Sequence, residues 1–323
     1  MLWPLLAVVG GIIMLVYSAD KFVEGASATA ARFNWPPLLI GMLVIGFGSS
    51  MPEMVISALS SLKGNPGLAL GNAVGSNITN IALILGLTAM ISPLAVCSSV
   101  LQRELPFLIA ITTLLAVLLY SDGSLDRIDG YILIGTFFCL MAWSIYAGLK
   151  TEKDHLGEIM AQELNDVIEL KQAILFTALG LLFLVISSQL LVWGGVEIAQ
   201  YFGISDLIIG LTIVAVGTSL PELASSIAAV RKNEHELALG NIIGSNMFNT
   251  TIVLGISATI SPSSLENAVL VRDFPVMAAL TIALFIMGYS FLRTGKGMIN
   301  RWEGCVLLLG YIAYNTNLAF SVL

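Results

Sequence analysis

Glu53 sits inside residues 37–62, an apolar run long enough to cross a bilayer core of about 30 Å. A carboxylate within such a run costs roughly 2.5–3.5 kcal/mol on an insertion scale. Glu53 is therefore expected to face a cavity, a partner group or an ion rather than lipid. The surrounding phrase, Gly46-Phe47-Gly48-Ser49-Ser50-Met51-Pro52-Glu53, returns 169 residues later as Ala215-Val216-Gly217-Thr218-Ser219-Leu220-Pro221-Glu222. One buried acid could be an accident of packing. Two in matching phrases point to a site.

The rest of the chain supports a membrane setting. It is 57% hydrophobic and 11% charged, where a soluble chain carries about 25% charged residues. The reading is an all-α polytopic membrane protein, with no nucleic-acid partner. Apolar runs of spanning length give ten transmembrane helices, at about 3–19, 37–62, 67–91, 105–120, 130–149, 172–193, 207–230, 237–260, 274–292 and 304–322. No Lys or Arg precedes the first run, so it reads as a retained helix rather than a cleaved leader. Cys97, Cys139 and Cys305 lack CxxC spacing and read as small apolar packers. His155 and His235 lie in polar stretches, which excludes a histidine-built zinc or haem site within the membrane.

The chain reads as two copies of one unit. At a constant offset of 169, residues 38–93 match residues 207–262 at 24 of 56 positions. The same offset pairs Gly11 with Gly180, Gly25 with Gly194, Arg103 with Arg272 and Pro106 with Pro275. Each copy holds five spans, an odd number, so the second is expected to enter the membrane from the opposite side as an inverted repeat. The expected units are 1–149, a polar linker at 150–171, and 172–323. The linker carries six acids, Glu152, Asp154, Glu158, Glu163, Asp166 and Glu169, and reads as a solvated helical connector. With ten spans, all of the 14 Lys and Arg except Lys63, Arg127 and Arg272 fall on one side. The positive-inside rule puts that side in the cytoplasm and both termini outside.

The motifs explain why the acids are placed as they are. Pro52 has no N–H, so the Gly48 carbonyl loses its helical donor, and two glycines make bending easy. Helix 2 should break here, helix 7 likewise, leaving backbone carbonyls around Gly46 to Gly48 open to the interior. Ser49 and Ser50 add hydroxyls near Glu53. Ser50-x-x-Glu53 and Ser219-x-x-Glu222 also fit a capping box, which leaves a purely structural reading open. A second motif, Gly71-Asn72-Ala73-Val74-Gly75-Ser76-Asn77-Ile78-Thr79-Asn80, recurs from Gly240 to Asn249. Its glycines fit close helix packing in lipid; its asparagines do not follow from packing. Helices 3 and 8 are expected to be broken at the midplane as well. Asn72 and Asn77 read as structural, Asn80 and Asn249 as ligand candidates. The sum is an oxygen-only site with two carboxylates, suited to hard cations. A charge of −2 neutralises one Ca²⁺ or two Na⁺, so two loads can compete for one site.

The pattern G-[ST]-S-x-P-E followed by G-N-x-x-G-S-N-x-x-N, present twice, resembles the alpha-repeats of the sodium/calcium exchanger branch of the calcium/cation antiporter superfamily. The resemblance implies a secondary antiporter, not an enzyme, that carries Ca²⁺ and Na⁺ by alternating access and needs no cofactor. It implies that Glu53 and Glu222 are the chief Ca²⁺ ligands. Ser49, Ser50, Thr218, Ser219, Ser76, Ser245 and the carbonyls of Gly46 and Ala215 would complete the sites, with Asn80 and Asn249 at the centre. It also implies that the first and sixth helices slide against the other eight. Some members carry Asp at the positions of Asn80 or Asn249; amides at both argue against K⁺ co-transport. A proton-coupled Ca²⁺ antiporter is the alternative, and a passive cation channel a more distant one. The site is expected within one chain, functional as a monomer. The short loops suit a prokaryotic inner membrane.

Overall fold

In hydrocarbon a backbone must satisfy its own polar groups, so long apolar runs without breakers become helices. The computed structural model describes residues 2–33, 37–96, 99–150, 169–203, 215–265, 267–288 and 297–322. α1 spans Leu2–Phe33. α2 covers residues 37–49 and α3 Met51–Leu62, with a bend of 46° between them. α4 spans Pro66–Ile91, α5 Ser99–Asp122, α6 Arg127–Lys150 and α7 Leu170–Tyr201. After α8 (Ala215–Thr218) and α9 (Leu220–Arg231) come α10 (His235–Ile260), α11 (Val269–Gly288) and α12 (Arg301–Val322). Seven of these helices are long and apolar enough to cross a membrane, or eight if α2–α3 is one bent span. The linker at 151–168 and the opening of the seventh expected span, 207–214, lie outside the described residues.

Three expectations need correction. α1 does not stop near residue 19 but continues to Phe33, because nothing before Pro36 and Pro37 breaks it. Lys21 and Arg32 are therefore on a helix; Lys21 pairs with Glu24 at 2.8 Å and sits 4.6 Å above the Phe176 ring. Helices 3 and 8, here α4 and α10, are continuous rather than broken. Neither has a proline in its interior, and each absorbs its irregularity as wide π-turns, over Thr79–Leu85 and Asn249–Val253. The fold is also not purely helical. β1 (Leu94–Val96) and β4 (Gly297–Ile299) pair antiparallel, with Leu94 opposite Ile299; β2 (Ser124–Leu125) and β3 (Ser263–Ser264) do the same, with Leu125 opposite Ser263. Strands of two or three residues leave no periodic signal in a sequence. Each pair clips a turn of the first half to a turn of the second.

The layers follow from burial. α10 is the axis: 94% of its most apolar window is inside the protein, against 22% for α7 and 28% for α1. α2 packs along α10, and α3–α4 and α9–α10 pack as hairpins. α1 and α7 lie antiparallel on the outside, mainly against each other. Each has 32 residues, about 48 Å of helix. Their contact depends on two glycines. A Cβ at Gly25 would stand 2.5 Å from Thr177 N, and one at Gly180 would stand 2.6 Å from Phe22 Cα. Gly180→Leu should therefore force α1 off α7 and lower stability by about 1–3 kcal/mol. Thermal unfolding in detergent would register this as a clear drop in midpoint; an unchanged midpoint would mean the contact is dispensable.

Candidate cation site

Pro52 and Pro221 each stand at the second position of a new helix, where a missing N–H is harmless. One residue before each new helix, Ser50 (φ −83°, ψ 4°) and Ser219 (φ −88°, ψ 7°) leave helical geometry. The chain bends at each, and Glu53 and Glu222 fall in the first turn of α3 and α9. There the positive end of a half-helix favours an anion. Glu53 is 0% exposed and Glu222 1%.

The capping-box alternative fails at both breaks, since neither serine side chain caps its own helix. Ser50 Oγ instead crosses to the other half and donates to Glu222 Oε1 at 3.1 Å. Ser49 and Ser245 also face Glu222, while Thr218 and Ser219 face Glu53. Each carboxylate thus meets two hydroxyls of the opposite half, with Ser245 of its own half also beside Glu222. The charge acting on Glu53 is that of Glu222. Among the described residues, both oxygens of Glu53, Glu222 Oε2 and Ser219 Oγ have no hydrogen-bond partner. A buried carboxylate oxygen without a donor is unusual, and three such oxygens with an unpartnered hydroxyl beside them describe a space for positive charge.

Asparagines hold this arrangement. Asn241 Nδ2 donates to the backbone oxygen of Glu222 (3.1 Å), Ser225 Oγ (3.1 Å) and Ser226 Oγ (2.8 Å), while its Oδ1 accepts from Ser49 Oγ (3.1 Å). Asn72 repeats the pattern on Glu53 O (3.3 Å) and Ser57 Oγ (3.1 Å). The structural role expected of Asn72 is what these bonds describe. Asn80 Nδ2 donates to Asn246 Oδ1 (3.2 Å), and Asn77 Nδ2 to Thr250 Oγ1 (2.7 Å). The carboxamide oxygens of Asn77, Asn80 and Asn249 accept nothing among the described residues, and Asn249 Nδ2 donates to nothing. Asn80 and Asn249 lie in or at the start of the π-turns, where a widened helix re-aims its side chains.

The structure places the expected residues as follows. Glu53, Glu222, Ser49, Ser50, Thr218 and Ser219 converge; Ser76, Ser245, Asn80 and Asn249 are all buried. The Gly46 carbonyl is not bare. It accepts from Ser50 N (3.1 Å) and from the hydroxyls of Ser49 and Ser245 (each 3.4 Å), because the break comes at Ser50 and leaves Gly46 its helical donor. Ala215 begins α8, and nothing is described of its side chain. The glycines of the second motif are not equivalent. A Cβ at Gly71 or Gly75 would meet no described atom within 4 Å, whereas one at Gly244 would stand 2.8 Å from Met42 Cα. Sequence reasoning missed Ser57, Ser225, Ser226 and Thr250. The first three lie three or four residues after a glutamate, where a helix brings them near its carbonyl; Thr250 carries no such signal.

Comparison with known proteins agrees with the motifs. Residues 3–146 and 172–320 match the family described as sodium/calcium exchanger protein. The chain is 47% identical over 317 residues to a protein of Alkalimonas amylolytica that carries the antiporter name CaxA, covering 97% of this chain and 98% of that one. It is 39% identical over 308 residues to the inner membrane protein YrbG of Escherichia coli K12, covering 94% and 93%. Its fold superposes on the sodium-calcium exchanger NCX_Mj, soaked with 10 mM Na⁺ and 10 mM Sr²⁺, with TM-score 0.84 and 31% identity over 98% of both chains.

Asn241 is the test of how the site is held. Asn241→Ala removes the amide contacts to the Glu222 carbonyl and to two buried hydroxyls and leaves Ser49 without its acceptor there, so stability should fall by about 1–3 kcal/mol. Asn72 is only partly buried, so Asn72→Ala should cost less. Thermal unfolding of the two variants side by side checks the order; equal losses would mean the amides are not what positions the carboxylates.

Proposed function

Because the chain belongs to the sodium/calcium exchanger family, we propose that it exchanges Na⁺ for Ca²⁺ by alternating access, with Glu53 and Glu222 as the shared ligands. The family is one of transporters: the protein is an integral membrane antiporter for cations including Ca²⁺ and not an enzyme. The observation that carries the finer reading is the crossed carboxylate pair. Two fully buried acids, each set among hydroxyls of the other half, have oxygens that no described group satisfies. Ca²⁺ takes six to eight oxygens. Glu53, Glu222, Thr218, Ser219, Ser50 and Ser49 supply them, with the Ala215 carbonyl, Ser76, Ser245 and, once the Ser49 and Ser245 hydroxyls turn from it, the Gly46 carbonyl adding positions for Na⁺. Asn80 and Asn249 occupy the centre. Ser50 now donates its proton to Glu222; a cation between them would turn the hydroxyl lone pairs inward instead.

Coupling follows from electrostatics. Two bare carboxylates in a low-dielectric interior are costly to carry across a bilayer. One Ca²⁺ or two Na⁺ cancel their charge, so the loaded forms cross and the empty one resists. The architecture we favour is ten spans in two inverted five-helix units, joined by the segment 150–171, with both termini outside a prokaryotic inner membrane. Agreement of Asn72 with Asn241 in their bonding at an offset of 169, and of Ser50 with Ser219 in their backbone angles, supports the duplication. α1 and α7, the two outer helices, are the elements that would slide. All the ligands come from one chain, so a monomer suffices.

Proton coupling is the second reading. It is favoured by one observation: no basic side chain is described beside the two acids, so protons could serve as the counter-load. Uptake of radiolabelled Ca²⁺ into proteoliposomes, with Na⁺, H⁺ and K⁺ gradients imposed one at a time, separates the readings. Uptake should follow the Na⁺ gradient and ignore K⁺. Glu53→Gln and Glu222→Gln should each reduce it by about two orders of magnitude, the cost of withdrawing one of two charges from a desolvated ion. Retained uptake in both variants would remove the pair from the mechanism.

A further inference from the structure

Pro221 leaves the Gly217 carbonyl without a helical donor, as Pro52 does for Gly48. The two orphans are treated differently. Ser188, fully buried on α7, donates its hydroxyl to Gly217 O at 2.6 Å. At the offset of 169 the residue matching Ser188 is Ala19 on α1, which has no hydroxyl to offer. Gly48 faces α7 instead, through the Leu181 side chain: a Cβ there would stand 2.9 Å from Leu181 Cδ1. α7 thus lies over both broken helices, and among the described residues the Ser188–Gly217 bond is the one that ties it to the second.

The contacts around it show where the α1–α7 pair is attached. The clips β1–β4 and β2–β3 join turns that follow α4, α5 and α10 and precede α12; neither involves α1 or α7. The pair is held to the rest partly through second-half groups. Lys232, in the α9–α10 turn, donates to Asp20 O on α1 at 2.8 Å, and Ser188 bonds Gly217. Lys63, the match of Lys232, is exposed. A lysine is present in both halves, so that contact is available to either arrangement of the pair. The serine is present in one half only.

We propose that Ser188 is a positioning residue for exchange: its hydroxyl latches the α1–α7 pair onto the broken helix of the second half and sets which face of the membrane the unloaded site favours. This rests on the exchange reading above. A bond made in one arrangement and absent from its mirror stabilises that arrangement alone, and lowers apparent affinity on the face it closes. Gly217 lies in the turn before Glu222, and its carbonyl is held by Ser188 rather than by a backbone donor, so the latch acts on the carboxylate through the backbone.

Ser188→Ala, Ser188→Thr and Ala19→Ser test this in proteoliposomes, with the half-saturating Ca²⁺ concentration measured separately at each face. Ser188→Ala should move the two values in opposite directions, by about three- to tenfold each, as expected for one lost hydrogen bond to a buried carbonyl. Ser188→Thr keeps the hydroxyl and should stay close to the unaltered protein. Ala19→Ser should move both values the opposite way from Ser188→Ala. Changes of the same sign at both faces, or none, would overturn the proposal, because damage to packing has no sidedness. Amide hydrogen exchange over residues 217–223 is read in parallel and needs no transport. If the unaltered protein shows no counter-ion-driven flux, the exchange reading falls, and unchanged protection of this segment in Ser188→Ala would sink the latch independently.

Discussion

Two carboxylates with no described basic partner, fully enclosed in a protein that is itself enclosed in lipid, form the constraint around which the structure is arranged. Such a pair is unstable by electrostatics alone. It persists because each acid begins a half-helix, with the positive end of the backbone dipole beside it, and because two hydroxyls of the opposite half face it. Those groups reduce the cost without removing it. The remainder is a demand for positive charge, and that demand is what a cation antiporter needs of its site.

Meeting this demand requires the two halves to interpenetrate. Ser50 reaches Glu222, Thr218 and Ser219 reach Glu53, and Asn80 reaches Asn246. No half could build the site alone. α10 runs through the centre and carries Asn241, Ser245, Asn246 and Asn249, so one nearly enclosed helix serves both sides of the site. The two strand clips stiffen the surrounding turns, while α1 and α7 remain outside them, packed on each other through glycine contacts. A clipped centre with an outer pair outside the clips is an arrangement consistent with the alternating access proposed above.

The duplication is not carried through evenly. Asn241 makes three donor contacts where Asn72 makes two, and Gly244 is packed where Gly71 and Gly75 are open among the described residues. Ser188 has no counterpart. Differences of this kind let a protein of two similar halves prefer one arrangement over its mirror. They arise at positions outside the shared motifs, or from packing around them.

Much of this was legible in the residue order. A glutamate in an apolar run, written twice, pointed to the candidate site, because a charge in hydrocarbon is too costly to keep without a compensating group. Proline before each glutamate predicted both bends, because a missing N–H acts locally wherever the chain folds. Charge and hydropathy indicated helices in a membrane for the same reason. What the sequence could not decide were matters of distance between remote segments: that Ser50 turns away from its own helix toward Glu222, that α4 and α10 widen rather than break, that Gly46 keeps its donor, and that short strands clip the halves together. Each depends on which groups become neighbours when helices far apart in the chain are packed side by side, and a hydrogen bond across such a gap leaves no periodicity to read.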